Sequence, residues 1–110
     1  MFAFKKTQRL LKKIDYDHVF EQAKKIVTSE FILLYRENNL GYPRLGLAIS
    51  KKSIAKAHDR NRIKRLLRES FRQTQLPALD MIFLAKQGAG KQSNSGINFK
   101  LSKTWEQLTS

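Results

Sequence analysis

The feature that most constrains the fold is a basic segment that runs from residue 51 to residue 72. Its sequence is KKSIAKAHDRNRIKRLLRESFR, in which nine Lys or Arg residues are balanced only by Asp59 and Glu69. If the segment is helical, each residue turns about 100° around the axis, and the basic and apolar side chains separate into two faces. The apolar face consists of Ile63, Leu66, Leu67 and Phe71. This spacing predicts an amphipathic helix with one face on a protein core and the other toward a polyanion.

The basic face of this predicted helix places like charges one turn apart. It consists of Asn61, Lys64, Arg65, Arg68 and Arg72. Like charges four residues apart, such as Lys64 and Arg68, destabilise a helix, whereas a face exposed only for solubility usually mixes both signs. Arginine predominates, and its planar fork binds phosphate through parallel hydrogen bonds. The pattern therefore indicates an anionic partner in preference to simple exposure.

The composition restricts that partner to a few classes. The chain has 110 residues with 41% hydrophobic content, which predicts one domain over residues 1–110 with a single core. Its net charge of +13 and pI near 10.4 favour nucleic acid or an anionic membrane. No apolar stretch approaches the ~20 residues of a spanning helix, and the narrow apolar face of the basic helix lacks an aromatic fringe. We therefore expect no membrane partner and a cytoplasmic location, with which the absence of cysteine is compatible.

The N-terminal half is predicted to contain a basic arm, a helix and two strands. Residues 1–13 carry five Lys or Arg residues and are expected to form a mobile arm. Asp15 is a candidate N-cap for a helix over residues 16–24. Residues 31–35 and 45–49 have the apolar composition of strands, and the turn formers between them predict an antiparallel pair.

The C-terminal half completes the predicted order α-β-β-α-β-α. The basic helix is expected to open between residues 53 and 60 and to end before Pro77. The continuous apolar run at residues 81–85 suits a buried strand. After a flexible stretch over residues 88–96, a closing helix is predicted from apolar residues at helical spacing. These residues are Ile97, Leu101, Trp105 and Leu108.

The chain offers few groups for catalysis of its own. Metal-assisted phosphodiester hydrolysis needs converging carboxylates, and the nine acidic residues are mostly isolated along the sequence. Asp59 lies among arginines, where an ion pair is favoured over metal ligation, and His18 and His58 lack the spacing of metal ligands. The run Gly88-Ala89-Gly90-Lys91 fails as a phosphate-binding loop because Gln92 stands where a Ser or Thr should follow the lysine. We therefore predict no catalytic and no metal-binding residue.

The stretch from Asp59 to Arg72 resembles a signature known from one protein family. This stretch reads DRNRIKRLLRESFR, and it is similar to the RNR helix of the protein component of bacterial ribonuclease P. Further positions that match the pattern of that family are Arg9, Leu10, Tyr16, Val19, Phe20, residues 43–52, Leu76, Pro77 and Asp80. The resemblance thus covers most of the chain up to Gly88.

The resemblance implies a fold, and it implies separate roles for the protein and for an RNA subunit. The fold would be a single-domain α/β (α+β) sandwich around a central sheet, with a left-handed βαβ crossover around the basic helix, against the usual right-handed rule. In that family a large RNA is the catalyst and uses Mg²⁺ to remove the 5′ leader of precursor transfer RNA. The protein is then an endoribonuclease subunit without a firmly bound cofactor. Its partners would be the catalytic RNA and precursor tRNA, without DNA.

The resemblance also implies two binding surfaces. The first binds the catalytic RNA. It comprises Arg60, Asn61, Arg62, Lys64, Arg65, Arg68 and Arg72, extended by Lys51, Lys52 and Lys56. The second is a cleft for the single-stranded leader, where Tyr16 and Phe20 share a helical face and can stack on bases; core packing is the alternative for both. The family often has an aromatic residue at the position that aligns with Leu34, so base stacking is expected to be lost there and the sequence predicts no particular leader-sequence preference.

Two other classes of protein remain as alternatives at this point. A ribosomal or RNA-chaperone protein would use the same basic helix on another structured RNA. A DNA-binding protein would insert it into a groove, but the sequence shows no helix-turn-helix spacing and no dimerising segment. Stimulation of a ribonuclease P RNA at low Mg²⁺ would separate these classes.

Overall fold

The computed structural model describes residues 8–9 and 12–109 of the chain. Within these ranges the chain forms three α-helices and four β-strands, together with a 3-10 helix. In chain order they are α1 (Lys13–Glu21), β1 (Lys24–Val27), β2 (Phe31–Glu37), β3 (Arg44–Ala48), α2 (Ala57–Arg72), β4 (Leu79–Ala85), the 3-10 helix (Gln87–Lys91) and α3 (Asn94–Thr109). The expected α+β class is confirmed. No helix in the described part of the chain is long and apolar enough to cross a membrane.

The four strands form one sheet in the order β1-β2-β4-β3. Strand β4 pairs antiparallel with β2 and parallel with β3. The prediction that β2 and β3 form an antiparallel pair is therefore wrong, because β4 lies between them. Five of the seven residues of β4 form a continuous apolar run, which suits a central strand covered on both faces. The connection from β3 to β4 passes through α2, and its left-handed crossover stays a prediction.

The first helix and the strand after it differ from the sequence prediction. Helix α1 begins at Lys13 and has Lys12 at its N-cap, so Asp15 lies in the first turn and is not the cap. A carboxylate in the first turn still favours the helix because it faces the positive end of the dipole. The predicted helix also extended too far, since residues 24–27 form β1. That strand was missed because it is four residues long and begins with two lysines.

Helices α2 and α3 cover one face of the sheet, where the main core lies. The four apolar residues predicted for the inner face of α2 are all buried. At the centre, the Phe83 ring meets Phe31 and Trp105 edge to face, with centroid distances of 5.8 Å and 5.6 Å. The Trp105 indole nitrogen also donates to Ser70 Oγ at 2.7 Å, which fastens α3 to α2. The predicted basic helix and closing helix are thus confirmed.

Helix α1 covers part of the opposite face of the sheet. A separate small cluster lies there, with Val19 and Ile82 as its fully buried members. The predicted basic arm, residues 1–13, falls largely outside the described residues. Of its described part, Arg9 forms a parallel bridge with Leu45 at the β3 edge. The molecule therefore has three layers: α1, the sheet, and α2 with α3.

Candidate nucleic-acid interface

The outer face of α2 presents an uncompensated set of positive charges. Asn61, Arg65 and Arg68 are exposed, and Lys64 is half-buried. Among residues 8–9 and 12–109, no carboxylate lies within 4.0 Å of the side-chain nitrogens of Lys64, Arg65 or Arg68. Arg72 is half-buried, and its Nε is buried without a hydrogen-bond partner in the same part of the chain. The structure thus brings together Lys64, Arg65 and Arg68 as cations available to an anion, and Arg72 follows Arg68 by one helical turn.

Two other arginines of the predicted interface are bound within the protein. The Nη1 of Arg60 donates to the carbonyl oxygens of Ile54 and Ala55 at 2.9 Å and 2.8 Å. The Nη1 of Arg62 donates to Asn94 Oδ1 at 2.7 Å, and its Nη2 donates to the carbonyl oxygen of Gly90 at 3.0 Å. These two side chains therefore brace α2 against its neighbours. No sequence signal revealed this role, because the partners of Arg62 lie about thirty residues further along the chain.

The loop before α2 extends the basic face. It is closed by Ser50, whose carbonyl oxygen accepts from the Ile54 amide at 3.0 Å and whose Oγ accepts from the Ser53 amide at 3.2 Å. Ile54 is buried in the main core and anchors the loop. The three lysines predicted to extend the interface are exposed on this loop. They are Lys51, Lys52 and Lys56.

Tyr16 and Phe20 lie side by side on α1 with different exposure. Their ring centroids are 6.5 Å apart and the rings are tilted by 34°. The Tyr16 hydroxyl accepts a hydrogen bond from the Leu47 amide at 3.2 Å, and the ring lies against Gly46, where a Cβ atom would come within 2.8 Å of that hydroxyl. Tyr16 is therefore packed onto the sheet by one side. The Phe20 side chain is 48% exposed, so it is not a core residue.

The sheet beside α1 offers an apolar floor that α1 does not fully cover. Leu34 and Leu84 are only partly buried against the small cluster, and Val27 at the sheet edge is 54% exposed. Leu34 faces the same side of the sheet as Tyr16. The surface formed by Leu34 and Leu84 of the sheet with Tyr16 and Phe20 of α1 is hereafter called the α1 cleft.

A buried ion pair lies at one end of the α1 cleft. Asp80 is 3% exposed, and its two carboxylate oxygens accept from Arg44 Nε at 2.8 Å and Arg44 Nη2 at 2.7 Å. Asn38 Nδ2 also donates to Asp80 at 2.9 Å. Burial alone would raise the pKa of Asp80, but these hydrogen bonds and the charge of Arg44 outweigh it and hold the pKa below its ordinary value. Asp80 is thus committed to the pair, and Arg44 is a structural residue that the sequence analysis did not single out.

The described residues also bear on metal binding. Within residues 8–9 and 12–109, no three His, Asp or Glu side chains lie together as a metal ion would require. Asp59 lies 3.7 Å from Nδ1 of His58 and is partly exposed beside the 3-10 helix.

The chain matches the family model described as Ribonuclease P over residues 4–109. The chain belongs to the ribonuclease P protein family. It is 74% identical to the ribonuclease P protein component of Legionella pneumophila strain Lens, across the whole of this chain and 96% of that protein. It is also 50% identical over 106 residues to the ribonuclease P protein component of Haemophilus influenzae strain PittGG, covering 94% of this chain and 89% of that protein.

Solved structures of ribonuclease P proteins share the fold. The Staphylococcus aureus RNase P protein superposes with a TM-score of 0.83 at 26% identity, covering 94% of this chain and 95% of that one. The Thermotoga maritima RNase P protein superposes with a TM-score of 0.80 at 25% identity, covering 91% of this chain and 96% of that one. The expected family and fold are confirmed. The chain therefore serves as a subunit of the ribonucleoprotein that processes the 5′ ends of tRNA, with an RNA partner in the holoenzyme.

Proposed function

We propose that the protein acts as one RNA-binding domain with two surfaces. The outer face of α2 and the loop before it bind the catalytic RNA. The α1 cleft receives the single-stranded 5′ leader of precursor tRNA. The RNA subunit performs the cleavage in the bacterial cytoplasm, and the protein contributes affinity and placement.

The observation that carries this proposal is the set of cations on α2 that have no carboxylate partner among the described residues. Lys64, Arg65 and Arg68 repel one another, and each like pair at helical spacing costs about 0.2–0.5 kcal/mol in the free protein. A phosphate backbone removes this repulsion and releases the counterions that it had bound, which makes association favourable and dependent on salt. The braces formed by Arg60 and Arg62 hold the loop and helix in one orientation. The lysines at 51, 52 and 56 are therefore presented with the α2 face as one surface.

The α1 cleft suits unpaired bases because the aromatic ring of Phe20 is exposed beside an apolar surface of the sheet. Phe20 exposes nearly half of its side chain and offers a stacking face, and stacking is worth about 1–3 kcal/mol per base. Leu34 and Leu84 supply a flat aliphatic floor without hydrogen-bonding groups, which distinguishes poorly between bases. We therefore assign to this cleft an affinity for leaders with weak sequence preference.

In this proposal the magnesium ions are bound by the catalytic RNA and not by the protein. When bound there, Mg²⁺ supplies the activated water and stabilises the leaving oxygen. The basic face of α2 lowers the repulsion between the catalytic RNA and its substrate, both of which are polyanions. Less Mg²⁺ is then needed to hold the two RNAs together.

Reconstitution at low Mg²⁺ tests the proposed function. The purified protein, added to a bacterial ribonuclease P RNA, is expected to promote cleavage of precursor tRNA where the RNA alone is slow. The double substitution of Arg65→Ala and Arg68→Ala is expected to weaken binding to the catalytic RNA roughly 10- to 100-fold, since two charge-assisted contacts are lost. The slope of log affinity against log salt should fall by about 2.

The matched control removes two positive charges from elsewhere. Lys91 lies in the 3-10 helix and Lys103 on α3; both are exposed, and neither belongs to α2. The double substitution Lys91→Ala with Lys103→Ala should change binding to the catalytic RNA by less than about threefold. If both pairs of substitutions weaken binding equally, net charge drives the association and the α2 face has no special role.

A further inference from the structure

Helix α1 has little apolar contact to hold it on the sheet. Val19 is its one buried residue, and Tyr16 adds a partly buried ring. The main core on the other side of the sheet, by contrast, is built from side chains of both α2 and α3. Apolar packing alone would leave α1 free to shift over the sheet. Other contacts must therefore fix its position.

Two arginines of the sheet reach α1 across the cleft face. Arg44 on β3 places Nη2 at 3.6 Å from Asp15 Oδ1 in the first turn of α1. Arg36 on β2 donates from Nη1 to the carbonyl oxygen of His18 at 2.8 Å, one turn further along. Helix α1 is thus held at two points by side chains that belong to two different strands.

Asp80 fixes the geometry of the Arg44 contact. Its carboxylate accepts two parallel hydrogen bonds from the Arg44 guanidinium, which holds that planar group in one orientation. Asn38 donates to Asp80 and also to the carbonyl oxygen of Tyr42 at 3.2 Å, so the carboxylate itself is held in place. The same Nη2 that donates to Asp80 lies 3.6 Å from Asp15 Oδ1, so the pair with Asp80 sets where the guanidinium charge meets α1. A lysine has a single charged nitrogen and would not occupy both oxygens of Asp80 while approaching α1.

We propose that Arg44 is a positioning residue that sets the distance of α1 from the sheet and thereby the width of the α1 cleft. The inference rests on the proposed role of that cleft in leader binding. The Arg44 side chain is 19% exposed, its Nε and Nη2 donate to Asp80, and Nη2 also forms an ion pair with Asp15, so it acts on the leader through α1 and not by contact. Loss of Arg44 or Asp15 then loosens α1 and misplaces Tyr16 and Phe20.

The test compares leader preference in the reconstituted holoenzyme. Leader preference is the ratio of the affinities for precursor tRNA and for the same tRNA without its leader. Asp15→Asn leaves the Arg44–Asp80 pair intact and is expected to lower this ratio about twofold to fivefold, as the loss of one partly buried ion pair should. Arg44→Met is expected to lower it further. The affinity for the catalytic RNA should stay within about twofold in both variants.

A matched control and a double-mutant cycle give the test its specificity. Asp17→Asn removes the same charge from α1, but Asp17 is exposed and its ion pair in the described part of the chain is with Lys13 of the same helix, at 3.9 Å, so leader preference should not change. Arg44→Met combined with Tyr16→Ala should show an effect well below the product of the single effects, because Arg44 acts on the leader by placing Tyr16.

The outcomes separate this inference from the proposed leader site. Multiplicative effects in the cycle would show that Arg44 touches the leader directly and would overturn the positioning role. The positioning role would also be overturned if Tyr16→Ala lowers leader preference while Asp15→Asn and Arg44→Met both leave it normal. If Arg44→Met does not fold, Asp15→Asn alone decides. If Tyr16→Ala and Phe20→Ala both leave leader preference unchanged, the leader site is wrong and the positioning role falls with it.

Discussion

The two faces of the central sheet are built in different ways. The face under α2 and α3 is closed by a continuous core in which Phe83, Phe31 and Trp105 interlock. The face under α1 has two fully buried residues in its cluster, an open aliphatic floor and polar contacts at its margin. The first arrangement supplies stability and the second leaves apolar surface available. A small protein can thus keep one face for folding and expose the other for binding.

The charged side chains on the α1 side of the sheet also differ from those on the outer face of α2. Asp80 and Arg44 satisfy each other in a buried pair on the α1 side. On the outer face of α2 the cations have no carboxylate partner in the described part of the chain. Within the described residues, the charges of this pair on the α1 side neutralise each other, and the cations on the proposed RNA-binding face of α2 have no such partner.

The largest expected effect comes from truncation of equivalent core residues on the two sides. Leu67→Ala should lower the free energy of unfolding by about 2–5 kcal/mol, because Leu67 is fully buried in the main core. Val19→Ala should cost about 1–2 kcal/mol, since fewer methyl groups are lost and α1 can shift to fill the space. Urea unfolding of both variants measures the difference. An equal cost would mean that α1 is as firmly packed as α2.

A smaller effect is expected where α1 touches the sheet most closely. Gly46→Ala would place a methyl group about 2.8 Å from the Tyr16 hydroxyl, so the ring must move and its hydrogen bond from the Leu47 amide is lost. The free energy of unfolding should fall by about 1–2 kcal/mol. Leader preference should fall in parallel, with unchanged affinity for the catalytic RNA. A variant with normal stability and normal leader preference would show that the Tyr16 contact does not shape the cleft.

The smallest expected effect is a dependence of the free energy of unfolding on acidic pH, caused by Asp80 on the α1 side of the sheet. The pKa of Asp80 lies below its ordinary value of 3.8 in the folded protein, under the influence of Arg44, Asn38 and the nearby His18. The stability that this carboxylate contributes is therefore present above pH 3.8 and is lost as the pH falls through the folded pKa. One such proton gives a slope of at most about 1.4 kcal/mol per pH unit. Asp80→Asn, compared with the natural chain between pH 5 and pH 2.5, should show a shallower slope, and identical slopes would contradict the assignment.

The sequence predicted those parts of the molecule that depend on local pattern. Helix α2 could be predicted because its apolar residues recur at helical spacing. The same helical periodicity predicted its basic face. The order of the strands could not be read, because turn formers between β2 and β3 look the same whether or not β4 later inserts between them. The roles of Arg44 and Arg62 were also hidden. Their partners lie 28 to 36 residues away, and only the folded chain brings them together.

The position of β4 has a consequence for the order in which the chain acquires structure. It is the last strand in sequence and yet an inner strand of the sheet, hydrogen-bonded on both sides. During synthesis, the hairpin of β1 and β2 and the separate β3 have no common partner until residues 79–85 emerge. Sheet closure must therefore wait for the last third of the chain, and such non-local pairing slows folding. A nascent chain that stalls before β4 would hold its basic helix without the sheet on which that helix packs.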